Sequence, residues 1–401
     1  MLLFALLGIV AGIVTGLIPG LHPNAVFAVF VSFSIFMQAL PVLCMFTFII
    51  ALAVSNTFTD FIPSILFGAP EEDSVFSVLP GHKYLLEGRG YEALFLTVVG
   101  GLFVFTVTLL SSPFLLYAVP VIYTSIHGHV HVLLLLAVSW MILSEKRRKL
   151  AALSVFLISG IFGFVTLNSF TSELVLFPAL TGLFALSTLL TSLNSGTNVP
   201  EQKLTREIHG DWIRGGVTGW LAGILAGMLP GLGAAQSGAI AAQALRSKTR
   251  EFLIALGGIN TSSIIFAFMM LYLLGKTRSG ASWAISQVLY NFAVPELHIF
   301  FAVSAISVFI SAIATLYMGK LLMRKFVMFD YAKMTKIIIL SLVVLILAFT
   351  GIVGLLIAFT GMCTGLLAVK IGIRRTHLMG FLLLPTILYF SGLSPLMLHL
   401  L

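Results

Sequence analysis

Charge is what this 401-residue sequence lacks most: 9% of its residues are Asp, Glu, Lys or Arg, against about 25% in ordinary soluble domains. With 59% hydrophobic residues and a mean hydropathy of +1.11, so few charges cannot cover a water-soluble globule. The surface must face lipid. Cysteine is equally scarce: Cys44 and Cys363 both lie in apolar runs, where a thiol behaves as a small hydrophobe. Two such residues build neither a disulfide framework nor a CxxC metal motif. The opening MLLFALLG carries no charge, so without a basic n-region it reads as the first helix and not as a cleaved signal peptide. Long polar stretches are missing too, the longest falling at 70–92 and 193–211, which leaves no soluble domain. The net charge of +8 does not point to nucleic acid, because the cations sit in short clusters between apolar segments.

The fold class that remains is an all-α polytopic membrane protein, with roughly ten to fourteen spanning or half-spanning helices at about 20 residues each. By the positive-inside rule Lys146, Arg147, Arg148 and Lys149, then Lys320, Arg324, Lys325, Lys333 and Lys336, then Arg374 and Arg375 belong on the cytoplasmic side. Lys276 and Arg278 are expected on that side as well. They read either as anchors or as attractors of an anion.

The stretch GIVAGIVTGLIPGLHPN at 8–24 is a hydrophobic helix running into Pro-Gly, which should stop it, since Pro removes a backbone donor and Gly tolerates left-handed dihedrals. GWLAGILAGMLPGLG at 219–233 repeats it: the offset that carries Pro19 onto Pro230 carries Gly8, Ala11, Gly12, Ile13, Gly16, Gly20 and Leu21 onto identical residues. Glycines at spacing four are ordinary helix-packing faces in membranes. Pro-Gly at the end of both is not explained that way. Paired interrupted segments in two halves of a chain point to the binding site of a secondary transporter.

Carried by the same offset, the basic loop 320–336 lands on residues 109–125, which hold no Lys or Arg. Opposite charge character at corresponding loops is what two inverted-topology repeats with broken or re-entrant helices require, with the N-terminus outside. The expected organisation is a first inverted repeat at 1–150, a linking hairpin and cytoplasmic loop at 151–211, and a second repeat with C-terminal helices at 212–401. Within the first half, separate apolar pieces are expected at 41–54 and 57–69, and full spans at 93–119 and 120–143 with the turn marked by Pro113 and Pro120. Further spans are expected at 337–350 and 353–370.

The polar residues inside this apolar background are few. Pro19, Gly20, Leu21, His22 and Asn24 at the first break, and Pro230, Gly231, Gly233, Gln236 and Ser237 at the second, are the expected substrate-binding groups. A second pair of signatures follows each break, Asn56-Thr57 and Asn260-Thr261-Ser262, at unequal distances from the preceding proline. These residues are good N-caps. Alternatively, amides at half-helix ends receive a polar substrate group, since helix N-termini favour anions and unwound carbonyls favour Na⁺ or H⁺. Asp60 is the only carboxylate in residues 1–69. An intramembrane ionisable group is by default functional, so Asp60 is either the ion-coupling residue or an interfacial cap. His22 either meets substrate or is structural. HGHVH at 127–131 has no acidic or thiol ligand nearby, so no metal site is expected. No catalytic residues are expected either, because Asp60 has no second carboxylate in a recognisable motif.

The PGL at both breaks, the stretch ILFGAPEEDSVFSVLPGHKYLLEGRGYEAL at 65–94, and Asn-Thr after the second break resemble the large membrane subunit of the tripartite tricarboxylate transporters. The chain is similar to the short archaeal-type relatives, and departs from the family pattern at Glu71 and at LLGKTRSG in the second half. The resemblance implies an inverted-repeat carrier whose paired PGL loops bind a carboxylate. It further implies drive by an ion gradient, a small membrane subunit and an extracytoplasmic binding protein. The functional expectation is a permease of the cytoplasmic membrane that moves a small anionic substrate by alternating access. Na⁺ or H⁺ is its coupling ion, it needs no other cofactor, and a homo-oligomer is compatible with it. The alternative is a polyprenyl-phosphate translocase, in which a phosphate-headed lipid meets the same helix-end amides.

Overall fold

The computed structural model describes residues 1–18, 26–27, 41–67, 78–145, 148–170, 172–193, 200–206, 212–229, 233–234, 237–238, 240–241, 245, 249–289, 292–326 and 331–393. The described residues are helical almost throughout. In chain order the α-helices are α1 (Leu2–Leu17), α2 (Val42–Thr59), α3 (Phe61–Phe67), α4 (Val78–Leu86), α5 (Gly90–Ile126), α6 (Val130–Leu143), α7 (Lys149–Ser169), α8 (Ser172–Leu180), α9 (Ser187–Leu193), α10 (Trp212–Met228), α11 (Thr249–Leu274), α12 (Gly280–Val288), α13 (Val294–Phe326), α14 (Tyr331–Ile371) and α15 (Gly380–Phe390). Six stretches among the described residues are long and apolar enough to cross a membrane: Val42–Leu66, Gly90–Ile126, Lys149–Ser169, Thr249–Leu274, Val294–Arg324 and Thr335–Ile371. A helix satisfies its own backbone groups, which is why lipid selects it.

Two pairs of helices dominate the interior, and glycine makes both. Along α1, Gly8 faces Phe48 and Ala51, Gly12 faces Leu52 and Ser55, and Gly16 faces Thr59 and Asp60 of α2. Along α10, Gly215 faces Glu251, Gly219 Ala255, Gly223 Ser262, and Gly227 Phe266 of α11. In both pairs the partners run the same way, close enough that a Cβ on Gly12 would sit 2.4 Å from the Leu52 carbonyl oxygen. A third close crossing joins α5 to α11, where a Cβ on Gly100 would lie 1.9 Å from the Ile254 carbonyl oxygen and one on Gly257 1.9 Å from that of Thr97. Van der Waals packing between small residues is the main adhesive available where lipid is as apolar as the side chains.

The two pairs cross the same thickness in opposite directions. At one end Arg250, near the start of α11, pairs with Glu92, near the start of α5, at 2.7 Å, and Arg214 of α10 lies 4.0 Å from Glu251. At the other end Tyr123 of α5 accepts from Lys276 Nζ (3.1 Å) and Arg278 Nη2 (2.7 Å), just past α11. There Phe292 meets Tyr272 near the end of α11 (5.3 Å) and Phe46 near the start of α2 (5.4 Å). So α2 begins where α11 ends. Lys276 and Arg278 therefore lie across the protein from Arg214 and Arg250, not on the same side as those cations. What holds them there is Tyr123, whose ring they also approach from 4.9 and 5.4 Å.

Three other expectations are corrected. Helix α5 does not turn at Pro113 or Pro120 but runs through both to Ile126, and the turn is the 3₁₀ segment His127–His129. Proline is tolerated in a membrane helix when another donor takes the freed carbonyl. Ser112 Oγ does so, donating to Leu109 O at 2.8 Å. The pieces expected at 41–54 and 57–69 are one helix from Val42 to Thr59, continued after Asp60 by α3, because Asp60 itself has helical dihedrals (φ −62°, ψ −20°). The spans expected at 337–350 and 353–370 fall in one helical run, divided at Gly351 (φ +65°, ψ −161°), a conformation that glycine adopts without the strain a side chain would bring.

Candidate functional site

Helix α1 stops at Leu17, with Ile18 extended (φ −98°, ψ 105°), one residue before Pro19; α10 stops at Met228, two before Pro230. These helices have 16 and 17 residues, short of the roughly 20 a span needs. Their last glycines, Gly16 and Gly227, rest on Asp60 and Phe266, 1% and 0% exposed. The end of α10 is therefore interior, with Met228 and Leu229 buried, whereas Ile18 at the end of α1 is 40% exposed. Pro19, Gly20, Leu21, His22, Asn24, Pro230, Gly231 and Gln236 lie outside the described residues. Beyond the second break, Gly233 is half-buried and Ser237 fully buried, with Ala234 and Ala241 packed on Ala222 and Ile259.

The two Asn-Thr signatures do not start helices. Asn56 and Thr57 sit inside α2, Asn260, Thr261 and Ser262 inside α11, so neither the N-cap reading nor the free-amide reading holds at these positions. Backbone donors there are already used. In lipid a helix that stopped at Asn56 would expose four carbonyls, so the helix continues and the side chains carry the polarity instead.

Those side chains meet one another. Thr57 Oγ1 lies 3.4 Å from Thr261 Oγ1, Asn260 Nδ2 donates to Thr57 O at 3.2 Å, and the same amide donates to Asp60 Oδ2 at 2.7 Å. Asn56 Nδ2 donates to Thr15 Oγ1 at 3.2 Å, and Thr59 Oγ1 to Gly12 O at 3.3 Å. Ser262 Oγ turns back to Gly258 O at 2.8 Å. All are buried: Asp60, Asn260 and Thr261 are 1% exposed and Ser262 0%. Two polar atoms here, Asn260 Oδ1 and Ser55 Oγ, have no hydrogen-bond partner. Asp60 is thus a buried carboxylate that accepts from the Asn260 amide.

The arrangement brings together Thr57, Asp60, Asn260 and Thr261 from opposite halves of the chain, whereas Asn56 bonds Thr15 of its own half and Ser262 bonds carbonyls of α11 and α10. Among the described residues no three His, Cys, Asp or Glu side chains converge as metal ligands. Sequence reasoning missed the ion-pair group at the starts of α5 and α11, where Arg89 Nε donates to Glu92 Oε2 at 2.8 Å and Arg250 takes the other carboxylate oxygen. It also missed Gln202, which accepts from Gly90 N at 2.9 Å and so caps α5. The opposite charges Arg89, Glu92, Arg250 and Glu251 flanking apolar runs were the available signal for the first. For Gln202, more than a hundred residues from Gly90, there was none.

The model of the tripartite tricarboxylate transporter TctA family matches residues 2–380. An uncharacterized protein of Methanocaldococcus jannaschii is 30% identical over 400 residues, covering 97% of this chain and 98% of that protein. No solved structure matches. The family match implies a transport role, and it lends nothing to the polyprenyl-phosphate alternative. The chain belongs to the tripartite tricarboxylate transporter TctA family and is an integral membrane protein.

Proposed function

We propose that this protein is a secondary active carrier for a small carboxylate anion, coupled to Na⁺ or H⁺, working by alternating access between two halves of inverted topology. The observation that carries the reading is the meeting of Asn56-Thr57 with Asn260-Thr261 beside Asp60, between helices that enter from opposite sides. A contact between equivalent residues of two halves is where a carrier of this kind has its fixed point, around which one half rocks against the other. Asp60 is the coupling residue, since it offers a cation a charge that the buried surroundings leave otherwise expensive. The segments Pro19–Asn24 and Pro230–Ser237, with His22, Asn24, Gln236 and Ser237 as polar groups, hold the substrate's carboxylates at the ends of α1 and α10. A tripartite family supplies the small membrane subunit and the extracytoplasmic binding protein as partners, the N-terminus lies outside, and the host is the cytoplasmic membrane.

The test is uptake of labelled di- and tricarboxylates into proteoliposomes holding the protein, with and without its partner subunits, under an imposed Na⁺ or proton gradient. Gradient-dependent accumulation that Asp60→Asn removes is the expected result. Absence of flux for every carboxylate under both gradients, with the partners present, overturns the assignment.

A further inference from the structure

The loop KTRSG between α11 and α12 is fixed at both ends by its sequence. At its start Gly275 takes the left-handed conformation (φ +62°) and Lys276 N reaches back to Met270 O at 3.4 Å, the closure that glycine permits at a helix end. At its far end Ser279 and Ser282 form a reciprocal capping box, and Arg278 N donates to Ser282 Oγ at 2.8 Å. Two cations are thereby held two residues apart. Both turn to one atom, the Tyr123 hydroxyl, which accepts from Lys276 Nζ at 3.1 Å and Arg278 Nη2 at 2.7 Å.

Neither ordinary reason for a cation at a membrane surface applies to this pair. One is a carboxylate partner, and among the described residues no ion pair joins Lys276 or Arg278 to an acid. Glu296, near the start of α13 and so at the same end, caps its own helix, accepting from Ala293 N at 3.1 Å. The other reason is anchoring on the cytoplasmic side. That belongs to the opposite end of this core, where Arg89 and Arg250 hold Glu92, Arg206 donates to Tyr91, and Lys320 and Arg324 follow Gly319, which Leu94 covers.

What the pair lacks is a negative charge of its own small size. Donor nitrogens that share one oxygen at 2.7 and 3.1 Å stand at most about 6 Å apart and repel each other. A phenol oxygen offers two lone pairs and no charge. A carboxylate offers both oxygens and the charge, and its bonds to ammonium and guanidinium are the strong, charge-assisted kind. Lys276 is exposed and Arg278 half-buried, so the pair opens to solution. Its extent fits one carboxylate better than an acidic protein surface or a layer of lipid headgroups.

We propose that Lys276 and Arg278, gathered on Tyr123, are a first-contact site for the carboxylate substrate on the extracytoplasmic face. The site deepens the carrier reading and takes its sidedness, with the N-terminus outside, from it. The test is acetylation of Lys276 by a membrane-impermeant amine reagent in right-side-out vesicles holding the full chain, read by mass spectrometry, with citrate, succinate or chloride of equal ionic strength outside. Lys276 is expected to react in sealed vesicles and Lys149, also exposed, only in opened ones. Citrate or succinate at about four times its Kd should slow Lys276 about fivefold, and Arg278→Gln should abolish that protection. Protection by neither carboxylate, equal protection by chloride, or reaction of Lys276 only in opened vesicles overturns the site. So does protection that needs anionic lipid or the binding protein and no carboxylate. A second readout is kinetic: Lys276→Gln and Arg278→Gln should each raise the KM for gradient-driven uptake about tenfold or more, with less effect on kcat, and Lys276→Arg should restore it. A lower melting temperature with KM unmoved makes the pair structural and overturns the proposal. Uptake without protection removes the site and leaves the carrier; protection without uptake keeps the site and removes the carrier.

Discussion

The pair α1–α2 and the pair α10–α11 are built alike and differ at one position that matters. Each is a ladder of glycines against a longer parallel helix, each short helix ends just before Pro-Gly, and each long helix carries Asn-Thr, in the last turn of α2 and at mid-length in α11. The offset that carries Asn56 onto Asn260 carries Asp60 onto Ile264. The scaffold is thus present twice and the carboxylate once. Packing can be duplicated without penalty, whereas a second buried carboxylate beside the first would be repelled by it. The amide of the second pair serves the charge of the first instead, since the Asn260 side chain donates to Asp60 Oδ2 while that of Asn56 donates to Thr15.

That asymmetry orders the expected effects of substitution. Asp60→Asn should lower gradient-driven carboxylate uptake at least about a hundredfold, equivalent to about 2.7 kcal/mol, while Ile264→Asn leaves coupling in place; equal losses from the two would erase the distinction drawn here. Next comes Asn260→Ala, which removes a buried bond to a charged group and should lower unfolding stability in detergent by about 1.5–3 kcal/mol, against about 1 for Asn56→Ala, whose partner is a neutral hydroxyl.

The ladders themselves give a finer comparison. A Cβ on Gly12 strikes the Leu52 carbonyl oxygen at 2.4 Å, whereas one on Gly223 strikes only side-chain atoms this closely, Ser262 Oγ, which can rotate away, and Ser262 Cβ at 2.7 Å. Gly12→Ala should therefore cost about 1–3 kcal/mol and Gly223→Ala less, as read from the two melting curves. The smallest expected effect lies outside the spans. Burial holds His377 below its ordinary 6.5, outweighing the upward pull of Glu145, whose Oε2 is 3.3 Å from His377 Nε2. A histidine whose folded pKa is depressed contributes stability that is complete above 6.5 and is lost as pH falls below it. His377→Gln should flatten that part of the melting-temperature profile, and an unchanged slope would assign the acid sensitivity to other groups.

The sequence by itself determined the solvent, the repeated interruption and the group of interest. Those are local matters: an apolar run too poor in charge for water, a proline that ends a helix wherever it leaves a carbonyl unmet, and a carboxylate with no business in lipid unless it is used. Tertiary structure alone decided which polar groups meet. Asn56 and Asn260 read as caps because capping is a preference of a residue for its neighbours in the chain. The cost of exposing carbonyls to hydrocarbon overrides that preference and keeps both helices running, so the amides turn sideways, Asn56 to Thr15 of α1 and Asn260 to Thr57 and Asp60 in the other half of the chain.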